Sequence, residues 1–208
     1  MTRDMFIAPD TSIRLPLDGA DVVYWPCADL GEPPDLIVQA LLEATPWRAE
    51  KIVLWGKSYM QPRLIAWYGD EDSAYTYSGL RLEPLPWTPR LQALRTHVEA
   101  LCGHRFNSVL LNYYRDHRDG MGFHSDDEPE LGPQPVIASV TLGEPRPFSF
   151  KHKRDRSRPV YRMTPESGSV LLMRGDTQKN WKHGLEKLTQ PCGPRLNLTF
   201  RQVHPPTG

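Results

Sequence analysis

Residues 195–201 read RLNLTFR, a strict alternation of polar and apolar side chains over seven positions. Side chains two apart on a β-strand share a face. As a strand, the segment turns Arg195, Asn197, Thr199 and Arg201 one way and Leu196, Leu198 and Phe200 the other. The apolar face needs a core to cover it. The polar face sets a harder condition, because two arginines on the inside of a barrel repel each other, and buried charge is costly unless paired. A small dianion resolves this, since a guanidinium takes a carboxylate through two parallel hydrogen bonds. A solvated strand face carrying two arginines is the plainer reading, and the segment alone fits both.

Other stretches share the strand character. SVLLNYYRD, VIASVTLG, RPFSFKHK and GSVLLMRGD are β-branched or aromatic runs closed by Gly, Asp or charge. DVVYWPC reads as a short strand, and KIVLWGKSYM as two short strands around Gly56. Two helices come earlier in the chain. DLIVQALLEATPW is ended by Pro46. TPRLQALRTHVEALCG has Thr88 as N-cap, Pro89 in its first turn, an apolar stripe Leu91, Leu94, Val98 and Leu101, and Gly103 as its stop. The 21 prolines are spread along the chain, which suits many short elements joined by fixed turns. The expected class is α+β, an antiparallel sandwich or barrel with helices covering one face.

At 208 residues the chain is expected to be a single domain. No apolar run approaches the ~20 residues of a membrane span. The opening MTRDMFIAPD has too short an apolar segment for a secretory signal. These features predict a soluble, intracellular protein, cytoplasmic with the nucleus left open, with no membrane partner and nothing suggesting more than a monomer. Cys27, Cys102 and Cys192 lie far apart without a CxxC pair, and predict neither a disulfide framework nor a thiolate zinc site. The formal net charge of zero hides an asymmetry: KHKRDRSR (151–158) is basic, while GFHSDDEPEL (122–131) holds four acids. A neutral average leaves room for a polyanionic partner.

That acidic stretch also carries His124, two residues before Asp126. In an extended segment the two share a face and form a two-ligand clip. A third ligand must come from elsewhere, and His183, beside a glycine in NWKHGLEK, is the candidate. Two histidines and one carboxylate make the facial triad that leaves positions open on Fe(II). The H-x-D spacing also arises by chance. LLNYYRD adds Asn112 and Tyr114 on one strand face, an amide and a phenol able to meet the same anion as the arginines.

Taken in order, FNSVLLNYYRD, HSDDEPELG, IASVTLG, a distant His and PRLNLTFR resemble the AlkB family of Fe(II)- and 2-oxoglutarate-dependent dioxygenases, in particular its homologues that repair alkylated nucleobases. The likeness runs from about Lys51 to Val203 and is weaker before that. It implies a double-stranded β-helix, or jelly roll, over 104–208, with N-terminal helices and a substrate-contacting region over 1–103. It implies Fe(II) on His124, Asp126 and His183, and 2-oxoglutarate on Arg195 and Arg201 with Asn112, Tyr114, Asn197 and Thr199. Dioxygen is the second co-substrate. The implied partner is DNA or RNA bearing 1-methyladenine or 3-methylcytosine.

By the same resemblance, Asp127 lies near the target base, where a carboxylate attracts a cationic ring. Tyr75 and Tyr77 contact the flipped base or its neighbours, and Arg63 matches a substrate-lid arginine more loosely. VLWGKSY departs from the pattern: relatives that work on duplex DNA wedge an apolar hairpin tip into the stack, a part that Val53, Leu54 and Trp55 before Gly56 could serve, and these read equally well as core. The basic run would track phosphates, with an affinity that falls steeply with salt. Two rival readings stay open on sequence: a 2-oxoglutarate oxygenase acting on a protein side chain, and a nucleic-acid-binding module without catalysis.

Overall fold

The computed structural model describes residues 11–204 apart from 55, 56, 72, 74, 78 and 79, and gives backbone alone at 52–54, 57, 58, 75–77 and 80–82. In chain order the elements are β1 (Ile13–Arg14), β2 (Asp21–Trp25), α1 (Pro34–Ala44), β3 (Lys51–Leu54), β4 (Lys57–Met60), β5 (Leu64–Gly69), β6 (Tyr75–Tyr77), β7 (Leu80–Leu82) and α2 (Pro89–Cys102). The second half holds β8 (Ser108–Tyr114), β9 (Met121–His124), β10 (Ile137–Gly143), β11 (Phe148–His152), β12 (Tyr161–Met163), β13 (Ser169–Arg174), α3 (Thr177–Asn180), β14 (Trp181–Leu185) and β15 (Arg195–Arg201).

Seven strands form one antiparallel sheet in the order β1-β2-β13-β10-β15-β8-β5, and four form a second in the order β12-β11-β14-β9. Among the described residues the hairpins β3–β4 and β6–β7 form two separate two-stranded sheets. The strands β1, β2 and β5 come from the first 103 residues, so that region supplies sheet edge as well as helix. Among the described residues no helix is long and apolar enough to cross a membrane, which says nothing of strands.

The large sheet is covered on both faces, and its sequence shows why. On β15, Leu196, Leu198 and Phe200 join a core with Ile37 and Leu41 of α1 and with Leu91, Leu94, Val98 and Cys102 of α2. Alternate residues of neighbouring strands follow them: Ala138, Val140 and Leu142 on β10, and Val170 and Leu172 on β13. The intervening positions face the small sheet. Leu110, Ile137, Leu171 and Met173 pack there with Phe148, Phe150, Trp181 and Leu185. Both faces are buried, but the inner face mixes these apolar side chains with buried polar ones, so the strands alternate; each large apolar side chain so buried contributes about 1.5–3 kcal/mol. This is the jelly roll with helices on one face.

The helix α2 begins and ends as its sequence dictates. The Thr88 hydroxyl accepts from the Leu91 amide at 3.2 Å, Pro89 opens the helix, and Gly103 closes it at φ 63°, in the left-handed region where only glycine is unstrained. Its fourth fully buried position is Cys102, not Leu101, which packs only partly covered against the same core. At 100° per residue position 101 or 102 completes an equally narrow stripe with 91, 94 and 98, so the packing against the sheet, not the period, decides which is covered more fully. Burial raises the Cys102 thiol to about 12, so it stays protonated and acts as a small core side chain.

Candidate active site

The inner face of β15 is the floor of the site. Arg195, Asn197, Thr199 and Arg201 are all buried, at 2–8% exposure, and all line one cavity between the sheets. The register sets Tyr114 opposite Arg195 and Asn112 opposite Asn197 on β8, and Thr141 opposite Asn197 and Ser139 opposite Thr199 on β10. Polar side chains from three adjacent strands therefore meet. Arg195 donates to the Thr141 hydroxyl at 2.9 Å and lies 5.6 Å from the Tyr114 ring. Asn197 donates to the Ser139 hydroxyl at 2.7 Å, and Thr199 donates to the Asn197 amide oxygen at 2.9 Å. Arg63, 4% exposed, donates from Nε to the Asn112 amide oxygen at 2.8 Å, so it orients Asn112 from within the protein.

Ser139 and Thr141 were not singled out from the sequence as site residues. Their signal was present: IASVTLG alternates as RLNLTFR does, and pairing the two strands would have put both polar sets on one face. Arg146 was missed as well. It is fully buried, donates to the carbonyls of Asp116, Asp119 and Glu186, and stands 5.8 Å from the Tyr114 ring. Tyr114 thus has a guanidinium near it from both Arg146 and Arg195. Burial first, and then the charge of Arg146, bring Arg195 down to about 10, with Tyr114 acting the other way. Among the described residues the buried Arg195 Nε has no hydrogen-bond partner. A guanidinium in that condition is a ready carboxylate site.

The small sheet brings in the other half. His183, the candidate third ligand, lies within β14, directly opposite His124 at the end of β9. Lys182 and Gly184 are weak strand formers, which is why the strand was not legible. Gly184 has a structural reason. A Cβ there would stand 3.0 Å from the Met121 carbonyl oxygen and 3.2 Å from the Phe123 amide, so the bare Cα lets β9 close onto β14. Asp126 lies two residues past the strand, held by its amide bond to the Gln178 side chain at 3.0 Å.

The result is a cluster in which His124, Asp126 and His183 bring ligand atoms within 4.8 Å of one another. His183 Nε2 stands 3.5 Å from Asp126 Oδ2 and His124 Nε2 4.0 Å from Oδ1. The Nδ1 of His124 donates to the Gly122 carbonyl at 3.0 Å, which leaves Nε2 as the lone-pair nitrogen facing the cluster. Arg201 donates to Asp126 Oδ1 at 2.6 Å. Burial tends to raise the Asp126 carboxyl, but Arg201 and then the two histidines hold it well below the usual carboxylate range. Burial, and next the charge of His124, push His183 down to about 3, and burial also lowers His124. Both imidazoles are neutral and the carboxylate is ionised, the states in which these groups ligate metal. Among the described residues the buried Asp126 Oδ2 has no hydrogen-bond partner, a cost that a cation among the three would remove. Two nitrogens and one oxygen suit ferrous iron. Phe148 stacks on His183 at 5.6 Å and covers it.

The expected substrate residues are placed differently. Asp127 turns away from the cluster, 57% exposed, and accepts from Lys153 Nζ at 2.7 Å. Tyr75 and Tyr77 belong to β6, where only backbone is described, and Trp55 lies outside the described residues. In the basic run, Lys153 pairs with Asp127, and Arg158 pairs with Asp18 at 2.7 Å and Asp155 at 3.0 Å, leaving Arg154 and Arg156 exposed.

A profile described as the 2OG-Fe(II) oxygenase superfamily matches residues 33–201. Mouse alpha-ketoglutarate-dependent dioxygenase alkB homolog 3 is 40% identical over 179 residues, 82% of this chain and 62% of that protein. The human DNA oxidative demethylase ALKBH2 is 42% identical over 159 residues, 74% of this chain and 61% of its own length. The mouse ALKBH2 is 44% identical over 161 residues, 74% of this chain and 67% of its own length. The chain thus spans little more than three fifths of the homolog 3 and human ALKBH2 proteins that it matches. A solved structure of OsALKBH1 superposes with a TM-score of 0.57 over 87% of this chain and 96% of that one at 18% identity, a likeness of fold alone. Matched over 33–201 and 40–44% identical to these relatives, the chain belongs to the 2OG-Fe(II) oxygenase superfamily, in its AlkB group.

Proposed function

We propose that this protein is an Fe(II)- and 2-oxoglutarate-dependent dioxygenase that removes alkyl groups from nucleobases of the 1-methyladenine and 3-methylcytosine type in DNA or RNA. The observation that carries the reading is the meeting of two charge patterns in one cavity. His124, Asp126 and His183 line it together with Arg195, Arg201, Asn112 and Tyr114. A three-donor cluster alone would serve many metals, and buried arginines alone would serve any dianion. Side by side, they suit a metal and a keto-diacid held next to each other.

His124, Asp126 and His183 would hold the iron. Bound there, Fe(II) would supply the oxidising chemistry: hydroxylation of the alkyl group by dioxygen, balanced by conversion of 2-oxoglutarate to succinate and carbon dioxide. The chain's own residues bind and orient. Arg195, with Thr141 and Tyr114 beside it, takes one carboxylate of 2-oxoglutarate through its two-pronged fork. Arg201 fixes Asp126 and stands where the other end of the diacid would reach, with Asn112, Asn197 and Thr199 lining the path between. Phe148 and Leu185 close the apolar side and exclude water. Asp127, turned out of the cluster beside Asp126, meets the cationic ring; Tyr75, Tyr77 and Trp55 are assigned to the base and its neighbours, while Arg63, buried against Asn112, serves the 2-oxoglutarate side instead of the base. A base must leave its stack to reach such a buried cluster, and stacking on aromatic rings offsets part of that cost. The hydroxyalkylated base then releases an aldehyde without a protein acid or base. The relatives named as a dioxygenase and a DNA oxidative demethylase support this assignment.

The test has two parts. Protein mixed with Fe(II) and 2-oxoglutarate without oxygen is expected to show a weak visible charge-transfer band that disappears in His183→Ala. Methylated DNA and RNA oligonucleotides, single- and double-stranded, are expected to lose one methyl by mass when oxygen is admitted. A band without methyl loss on any of them overturns the nucleobase substrate and leaves the oxygenase.

A further inference from the structure

We propose that Lys153 is a specificity-determining residue: in the free protein it occupies Asp127 as an ion pair, and a cationic base must displace it. Lys153 thereby sets how strongly the site prefers a cationic base over a neutral one. The inference deepens the reading above and rests on its placement of Asp127 at the base.

The pair is built into the fold. The segment 180–181 is a common anchor for both partners. On one side, the Lys153 amide donates to the Asn180 carbonyl at 2.8 Å, and His152 before it sits edge-on to Trp181 at 5.0 Å. The His152 ring in turn accepts the Asp155 amide at 2.8 Å, which fixes the turn that follows β11. On the other side, the Ser125 hydroxyl donates to the Trp181 carbonyl at 3.0 Å, and the Asp126 amide bonds to Gln178. Lys153 is thus bonded directly to this short stretch through its own amide, and Asp127 lies two residues from Ser125, which is bonded to it as well. The lysine side chain is only 20% exposed, whereas the carboxylate is 57% exposed. Lys153 is therefore the covered partner, and the carboxylate keeps an open side.

The two rivals for that open carboxylate carry the same sign. A base cationic through alkylation, such as 1-methyladenine, gains from Asp127 only what it does not lose to the ammonium 2.7 Å away from the same oxygen. A neutral isomer, N6-methyladenine, has no charge to place there and is indifferent to the exchange. Removing the ammonium therefore raises the preference for the cation. Removing the carboxylate lowers it, and also releases Lys153 from its position.

The test measures binding of labelled single-stranded oligonucleotides of one sequence, carrying 1-methyladenine or N6-methyladenine at one position. Fluorescence anisotropy is read with the metal-free protein and its variants Lys153→Met, Asp127→Asn and the double variant. Loss of a phosphate contact weakens both oligonucleotides alike and cancels in the ratio of their Kd values. Exchange against an exposed ion pair is expected to move that ratio about two- to five-fold toward the cation in Lys153→Met. In the Asp127→Asn background the same substitution is expected to do nothing. An equal shift in both backgrounds means plain repulsion and overturns the pairing. If Asp127→Asn lowers the ratio while Lys153→Met leaves it unchanged, this inference falls and the base contact stands. If Asp127→Asn leaves the ratio unchanged, the base contact falls and this inference with it. Methyl loss from the same 1-methyladenine oligonucleotide, followed by mass, tests the dealkylase reading separately.

Discussion

Asp126 meets Arg201 at 2.6 Å, His183 at 3.5 Å and His124 at 4.0 Å, so one buried carboxylate joins the metal cluster to the arginine strand. Arg201 has two tasks at this residue. It keeps the carboxyl ionised against burial, and it fixes which oxygen turns toward the histidines. Replacing it by Arg201→Gln is expected to weaken metal binding by about 10–100-fold, the usual effect of removing a group that orients a ligand. An anaerobic titration with Co(II) checks this, with near-ultraviolet circular dichroism showing that the fold is retained. Unchanged affinity would mean that the histidines and backbone alone orient Asp126. At this scale the sequence was informative wherever chemistry recurs at fixed spacing. His124, Asp126, Arg195 and Arg201 were all chosen from short motifs, and all line one cavity. Arg146 was illegible because its partners are backbone carbonyls of three distant residues, which leave no mark in any side-chain pattern.

Among the elements, β14 and β9 show how closely strand approach governs the site. Gly184, with no side chain between the strands, allows the close approach of β9 and β14 at which the histidines face each other. Gly184→Ala forces the Met121 carbonyl outward by a few tenths of an ångström, since 3.0 Å is too close for a Cβ. The expected outcome is a loss of metal affinity of tenfold or more with a small change in stability, because the hydrophobic packing of β14 is untouched. Co(II) titration beside urea unfolding separates the two effects; a fall in stability at unchanged affinity would contradict it. By contrast, α2 was legible from end to end, since Thr88, Pro89 and Gly103 act within their own helix. The difference is one of range. A cap is a local bond, whereas a five-residue strand with lysine and glycine in it exists only because β11 and β9 flank it.

For the whole molecule, the loop between β8 and β9 ties the two sheets together and is the place where acid should act. Asp119 accepts from Arg115 at 2.8 and 3.0 Å and from the Arg115 amide at 2.9 Å, while Arg146 holds the Asp116 and Asp119 carbonyls. Burial works to raise the Asp119 carboxyl, and the bonds and charge of Arg115 outweigh it, so its pKa in the folded protein lies below that of the unfolded chain. A carboxylate lowered in this way stabilises the fold fully above the unfolded value of about 3.9, and that stability is lost as pH falls through the folded value. Asp119→Asn is expected to be less stable than the natural protein at pH 7, with the gap closing below about pH 4. Urea midpoints measured from pH 7 to pH 3 check this; a gap that stays constant would show that the loop is held by Arg146 alone.

The amino-acid sequence by itself determined the two-faced strands, the helix boundaries and the candidate metal and arginine motifs. Each of these is set by neighbours within a few residues, through side-chain period, capping and turn chemistry. What only the tertiary structure decided is which of those faces meet. Strand order put Thr141 and Ser139 beside Arg195 and Asn197, set His183 opposite His124, and brought Lys153 onto Asp127. Those contacts join residues up to 59 apart in the chain, and they come from burying both faces of the large sheet at once, a requirement of the folded molecule that no short stretch can express.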